Sequence, residues 1–199
     1  MTVPELVFTI SFETPFATAT GTADRGADLT VGATGRRGEV VDDRGPRAPR
    51  DVDLPELLPA TRLKGVMRAA ACWTLGLDDR VVEDVFGCPA HESPWSWRAA
   101  EIDDAKIVPR AQVAIDPEDG IAVDRGLLLA EEVWAATGRF RVLGQAHVDD
   151  PERDRLVLRA SAAGVHALGR SRRRGLGWVT ITPDPPIEHT DVERLWELR

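Results

Sequence analysis

LGRSRRRGLGWVTI, residues 168–181, runs an arginine-rich loop straight into an apolar strand. Gly169 and the Gly175-Leu176-Gly177 triplet bracket Arg170, Arg172, Arg173 and Arg174. Glycine adopts positive φ without steric cost and lets a backbone approach a ligand closely, so the bracketed segment reads as a tight loop. LGWVTI then reads as the last strand of the domain.

Upstream, Pro151 suits the first turn of a helix over roughly 152–166, with Leu156, Val157, Ala160 and Ala163 inward. GLLLAEEVW and RFRVLGQAHV read as strands joined by a turn near Gly138, and IDPEDGIAV carries the Pro117 and Gly120 of a hairpin. RAAEIDDAKIV is a further strand. Before it, DDRVVEDVFG reads as a helix burying Val81, Val82, Val85 and Phe86. Thr61 is placed to cap another helix over RLKGVMRAAACWTL, with Gly76 as its stop and Leu63, Val66, Met67, Ala70 and Thr74 inside. Leu6, Phe8, Ile10 and Phe12 alternate as a half-buried first strand. Residues 17–60 break all periodicity, which predicts a long first loop with a mobile insertion around 32–58. The resulting order is β-α-β-β-α-β with an inserted hairpin: an α+β, ferredoxin-like (RRM-like) domain over residues 1–186. A short helical tail, 187–199, follows the break at PDPP.

The chain has 199 residues, 43% hydrophobic and 29% charged, the balance of a water-soluble globular domain. Cys72 and Cys88 have neither metal-ligand nor disulfide-framework spacing and read as buried thiols in a reducing compartment. The N-terminus lacks a basic region before an apolar core, and no apolar run is long enough to span a membrane, so a cytoplasmic location is expected. A formal net charge of −8 argues against non-specific nucleic-acid binding over the whole surface. It does not exclude a local basic track, because patches make phosphate contacts.

Two cationic groups stand out. Lys64 and Arg68 lie four apart on one helix face, with Arg62 nearby, at a helix start whose free N–H groups attract phosphate. The arginine loop presents guanidinium forks that match phosphate oxygens bidentately. It matches neither a Walker A loop nor a Rossmann fingerprint. His91, His147, His166 and His189 lack metal-ligand spacing, so no metal site is expected from them. Trp95 and Trp97 read as cover for the core or for a neighbour's groove rather than as platforms for bases.

Five motifs, in order, give a resemblance. LLPATRLKGVMRAA, the VFG at 85–87, EIDDAKI, VAIDPEDGIAVDRGLLLAEEV and GRSRRRGLGWVTI together resemble the RAMP superfamily of CRISPR effectors. The resemblance is nearest to type III backbone subunits, which polymerise along a guide RNA. It implies a guide-RNA-binding subunit in antiviral defence, with Arg62, Lys64, Arg68, Gly169, Arg170, Arg172, Arg173, Arg174 and Gly175 on the RNA. Its implied partners are guide RNA, target RNA, other effector subunits and further copies of the chain, with no membrane. The turn Pro59-Ala60-Thr61-Arg62 departs from the family's usual Pro-Gly-Ser-Ser. GADLTV, 26–31, resembles the loop that carries a cleaving aspartate in such subunits, nominating Asp28, with Asp24, Asp42 and Asp43 as rivals. That implies endoribonuclease activity on target RNA, with Mg2+ as its cofactor. Two alternatives stay open: a structural subunit that does not cleave, and a guide-processing endoribonuclease of the same superfamily. The second generally needs an early histidine, and here none precedes His91.

Overall fold

A computed structural model describes residues 4–18, 37–38, 41–42, 45–46, 50–51, 57–145 and 148–199. The first strand, β1 (Glu5–Phe12), buries Leu6, Phe8 and Ile10 and turns Val7, Thr9 and Ser11 the other way, as its period-two pattern requires. Helices α1 (Ala60–Ala69) and α2 (Asp79–Phe86) follow, then the short strands β2 (Trp95–Trp97) and β3 (Glu101–Ile102). The long strands β4 (Lys106–Ile115) and β5 (Ala122–Trp134) come next, and β6 (Thr137–Gly144) leads to α3 (Pro151–Ala163). Strand β7 (Val179–Asp184) and helix α4 (His189–Trp196) complete the order.

The main sheet runs β7-β1-β6-β2, with every pairing antiparallel and β3 extending the β6 edge. Counted along the chain without the inserted hairpin, its four principal strands are ordered 4-1-3-2, so the structure has the expected ferredoxin-like topology. Register places Phe8 opposite Phe140 and Ile10 opposite Ile181, and the two phenylalanine rings stack with centroids 4.7 Å apart. Leu63, Met67, Val85, Phe86, Val157 and Leu158 from the three helices close the core over that face. The other face carries Val7, Thr9, Ser11, Arg139, Arg141, Thr180 and Thr182 and no aromatic side chain from these strands, so it lacks the stacking platform of an RRM sheet.

Among the described residues β4 and β5 pair only with each other, forming a ribbon with an irregularity between Val113 and Ile115. This is the inserted hairpin, much longer than IDPEDGIAV alone suggested. Its base is tied to the domain by paired hydrogen bonds between Phe16 and Val133. Along it Val113, Ile115, Ile121, Val123 and Leu127 are exposed.

Several local expectations are corrected. The N-cap of α1 is Pro59, not Thr61, and the Pro59 carbonyl accepts from the Arg62 and Leu63 N–H groups. Beyond Ala69 the helix widens into a π turn, Ala70–Thr74, in which the Leu75 N–H bonds to the Ala70 carbonyl at 2.9 Å. One extra residue in that turn shifts the helical phase, so Leu75 packs against the core where Thr74 was expected, and Thr74 is exposed. RAAEIDDAKIV is not one strand: Asp104 takes φ +48° and the chain turns between β3 and β4. Asp150 caps α3 by accepting from the Arg153 N–H, and Ala163 is exposed. Cys72 and Cys88 are free and half-buried. Among the described residues no helix is long and apolar enough to cross a membrane. Most of the insertion around 32–58 lies outside the described residues.

Candidate nucleic-acid interface

The arginine loop is built by its glycines, for two different reasons. Gly169, Gly175 and Gly177 have φ of +79°, +80° and +73°. A side chain at Gly169 would strike the Ala17 carbonyl, and one at Gly177 the Leu168 carbonyl, so both positions are fixed by close backbone approach. A side chain at Gly175 would meet nothing within 4 Å: there the glycine serves the backbone conformation and leaves open space above it. Backbone hydrogen bonds pin the loop's base, from the Arg170 N–H to the Ala17 carbonyl (2.9 Å), from Gly177 to Pro15 (2.7 Å) and from Leu168 to Gly177 (2.7 Å). Arg172–Arg174 form one 3₁₀ turn, entered through Ser171 at φ +57°.

On that rigid base the Arg172, Arg173 and Arg174 side chains are exposed, and among the described residues none makes an ion pair. Arg170 differs. It is half-buried, and its Nε and Nη2 are shut off from solvent without a hydrogen-bond partner among the described residues. The three outward arginines line a groove of about 830 Å3 whose other wall is the end of α1 and the π turn, with Val66, Ala69, Ala70, Trp73 and Thr74. His166 also lines it.

Lys64 and Arg68 line a second groove, of about 640 Å3, facing the segment from Phe86 to Ser96. The ammonium of Lys64 sits 5.3 Å from the centre of the Trp97 ring, a cation–π contact. Partial burial holds the Lys64 pKa below its ordinary value; the Arg68 charge pushes the same way and Glu92 opposes both. Trp95 and Trp97 are core residues: the Trp95 Nε1 donates to Asp154 Oδ2 (2.9 Å) and the Trp97 Nε1 to Met67 Sδ (3.4 Å). Arg62 is half-buried at the start of the same helix.

The expected cations therefore lie on two flanks of α1, not along one line. Arg68 lines one groove and its neighbour Ala69 the other, so the exposed ridge of α1 is where they meet. Gly65 sits on that ridge with nothing within 4 Å of where a side chain would start. Two residues that line these grooves, Gly65 and Trp73, were not singled out from the sequence. Gly65 carried a signal, because an exposed mid-helix glycine is costly unless something needs the space. Trp73 carried none, because the π turn that sets its direction is not written in the residue spacing.

Among the described residues no cluster of three His, Cys, Asp or Glu side chains could hold a metal ion. Asp28, Asp24 and Asp43 lie outside the described residues, and of Asp42 only the backbone is described.

No curated protein matches this sequence. Among solved structures, the fold is similar to a chain of a complex described as "Cryo-EM structure of the Type III-B Cmr-beta bound to cognate target RNA". The TM-score is 0.61 at 15% identity; the similarity covers 90% of this chain and 58% of that one, so this chain spans a little over half the length of that relative. The sequence profile of the RAMP superfamily matches residues 9–180, from β1 through the arginine loop into β7. The chain thus belongs to the RAMP superfamily.

Proposed function

We propose that this chain is a guide-RNA-binding backbone subunit of a type III-like CRISPR effector complex. One observation carries the reading: three exposed arginines on a loop locked by glycines, without ion pairs among the described residues, lining a groove against the helix that bears Lys64 and Arg68. Guanidinium groups held this way suit successive phosphates of a single strand. Family membership and the target-RNA-bound structural relative support the same reading. The exposed apolar side chains of the β4–β5 ribbon offer a surface for a neighbouring subunit, as polymerisation along a guide requires.

The proposal extends to target-RNA cleavage through Asp28, on the loop motif GADLTV. The described residues hold no cluster of three His, Cys, Asp or Glu side chains for a divalent cation, and Asp28 itself lies outside them. The test of the main reading is coexpression with the genomic neighbours of the gene. Purified protein should carry short RNAs of repeating length, together with other subunits and copies of itself. Protein that purifies free of RNA under these conditions refutes the reading.

A further inference from the structure

Trp73 is 88% exposed, the most solvent-accessible large apolar side chain among the described residues. An aromatic ring of that size buries about 150–250 Å2 when covered, so leaving it in water forgoes a large hydrophobic gain. The exposure follows from the backbone: the π turn Ala70–Thr74 brings Leu75 inward and leaves Trp73 on the outer side, and such turns recur at functional sites. Its surroundings are specific. Trp73 lines the same groove as Arg172, Arg173 and Arg174, and small residues, Ala69, Ala70, Gly164 and Ala167, are among its other lining residues. The groove volume, about 830 Å3, falls within the roughly 300–1,000 Å3 of pockets that hold small organic groups. Trp196 is a useful contrast: it too is exposed, but the Arg199 guanidinium lies 3.9 Å over its ring, so a partner already occupies that face.

Resting on the RNA-binding reading above, we infer that Trp73 is a stacking platform for an unpaired base of the strand whose phosphates lie along Arg172–Arg174. A flat apolar ring beside three phosphate-binding cations matches the two halves of a nucleotide. Every base has a π face, so the platform is indifferent to sequence, as a subunit that accepts any guide requires. Small lining residues leave room for the base, and the arginines fix the backbone one groove-width away.

The test uses the full chain and two fluorescein-labelled probes of equal length and charge: a single-stranded oligouridylate and its abasic ribose-phosphate counterpart. Trp73→Ala should weaken the base-bearing strand about 5- to 100-fold, the range expected for one base–aromatic stack. It should leave the abasic strand unchanged, and Trp73→Phe should recover most of the loss. Replacing Arg172, Arg173 and Arg174 together with Ala should weaken both probes. If Trp73→Ala binds both probes like the wild type while the triple variant loses both, the stacking inference is overturned and the RNA-binding loop stands. If the triple variant also binds both normally, the loop reading fails and the inference falls with it. Trp73→Ala losing both probes equally assigns the residue to the backbone track or to the shape of the groove, which likewise overturns a stacking role. Circular dichroism of each variant should match the wild type, because none of the four side chains enters the core.

Discussion

Gly65→Ala separates stability from function more cleanly than any cation variant. Gly65 lies inside helix α1, exposed, and an alanine side chain there would meet nothing within 4 Å. Its φ is not in the left-handed region, so alanine fits the existing backbone. Glycine inside a helix costs about 0.8–1.0 kcal/mol relative to alanine. For a chain of this length that gain should raise Tm by about 2–4 °C, read by thermal circular dichroism. If the RNA backbone crosses the ridge between the two grooves, the added methyl occupies the contact and displaces a phosphate. Loss of one charge-assisted contact is worth about 1.4 kcal/mol or more, so affinity for a single-stranded RNA should fall at least about tenfold in a polarisation assay. The expected pair is therefore a more stable protein that binds RNA worse. A stability gain with unchanged affinity would take the ridge out of the RNA path. A stability loss would mean that the helix face is covered in the folded protein, and the geometric argument would fail.

Other expectations follow from the same two grooves. Lys64 has a lowered pKa in the folded state, chiefly through burial, so the unfolded chain holds the proton to higher pH. Stability should therefore rise with pH between the lowered value and the ordinary 10.5, and Lys64→Met should flatten that rise, measured by urea unfolding across alkaline pH. The same variant should keep or slightly raise stability near neutrality while reducing the slope of log affinity against log salt by roughly 0.7. Among the loop glycines, Gly169→Ala and Gly177→Ala should each cost more than about 2 kcal/mol, because a backbone carbonyl blocks the new methyl and φ is positive. Gly175→Ala should cost only about 1 kcal/mol, from φ alone, and equal costs at all three positions would contradict the packing described. Asp28→Ala should leave RNA binding intact and abolish Mg2+-dependent cleavage of a complementary target by the assembled complex; cleavage that survives there and stops in an Asp24 or Asp42 variant would move the site.

What the sequence could express was whatever depends on neighbours along the chain. Alternation in LVFTISF and TGRFRVL sets which face of β1 and β6 is buried, and Asp78 and Asp150 cap their helices by a purely local hydrogen bond. The phase of a helix is legible only while its turns are regular. Leu63, Met67 and Ala70 fall inward as spacing predicts, but the π turn then exchanges Thr74 for Leu75. The break at Asp103-Asp104 depends on a left-handed residue, a conformation Asp tolerates but does not announce. The cations were found by type and not by place. Lys64 and Arg68 face the Phe86–Ser96 segment, while Arg172–Arg174 face Trp73, because long-range packing of α1 between those segments decides what each flank meets.

The same packing explains how an acidic chain keeps a cationic loop. Five of its other arginines are engaged: Arg153 with Asp84 and Asp154, Arg155 with Glu152, Arg141 with Glu5, Arg110 with Glu132 and Arg159 with Asp191. The last of these is half-sealed, both side chains being 12% exposed, and it ties α3 to the tail helix with help from the Pro185 and Pro186 carbonyls. Asp84, Glu152, Asp154 and Asp191, on α2, α3 and α4, are thus held in pairs with arginines outside the loop. At physiological ionic strength the Debye length is about 8 Å, so charges farther off are screened from an RNA strand in the groove. Among the described residues that line the groove, Arg172, Arg173 and Arg174 carry positive charge and no carboxylate is present. An exposed surface ion pair contributes only about 0–1 kcal/mol, so leaving these arginines unpaired sacrifices almost no stability. It keeps three guanidinium groups ready for phosphate without first having to break a bond within the protein.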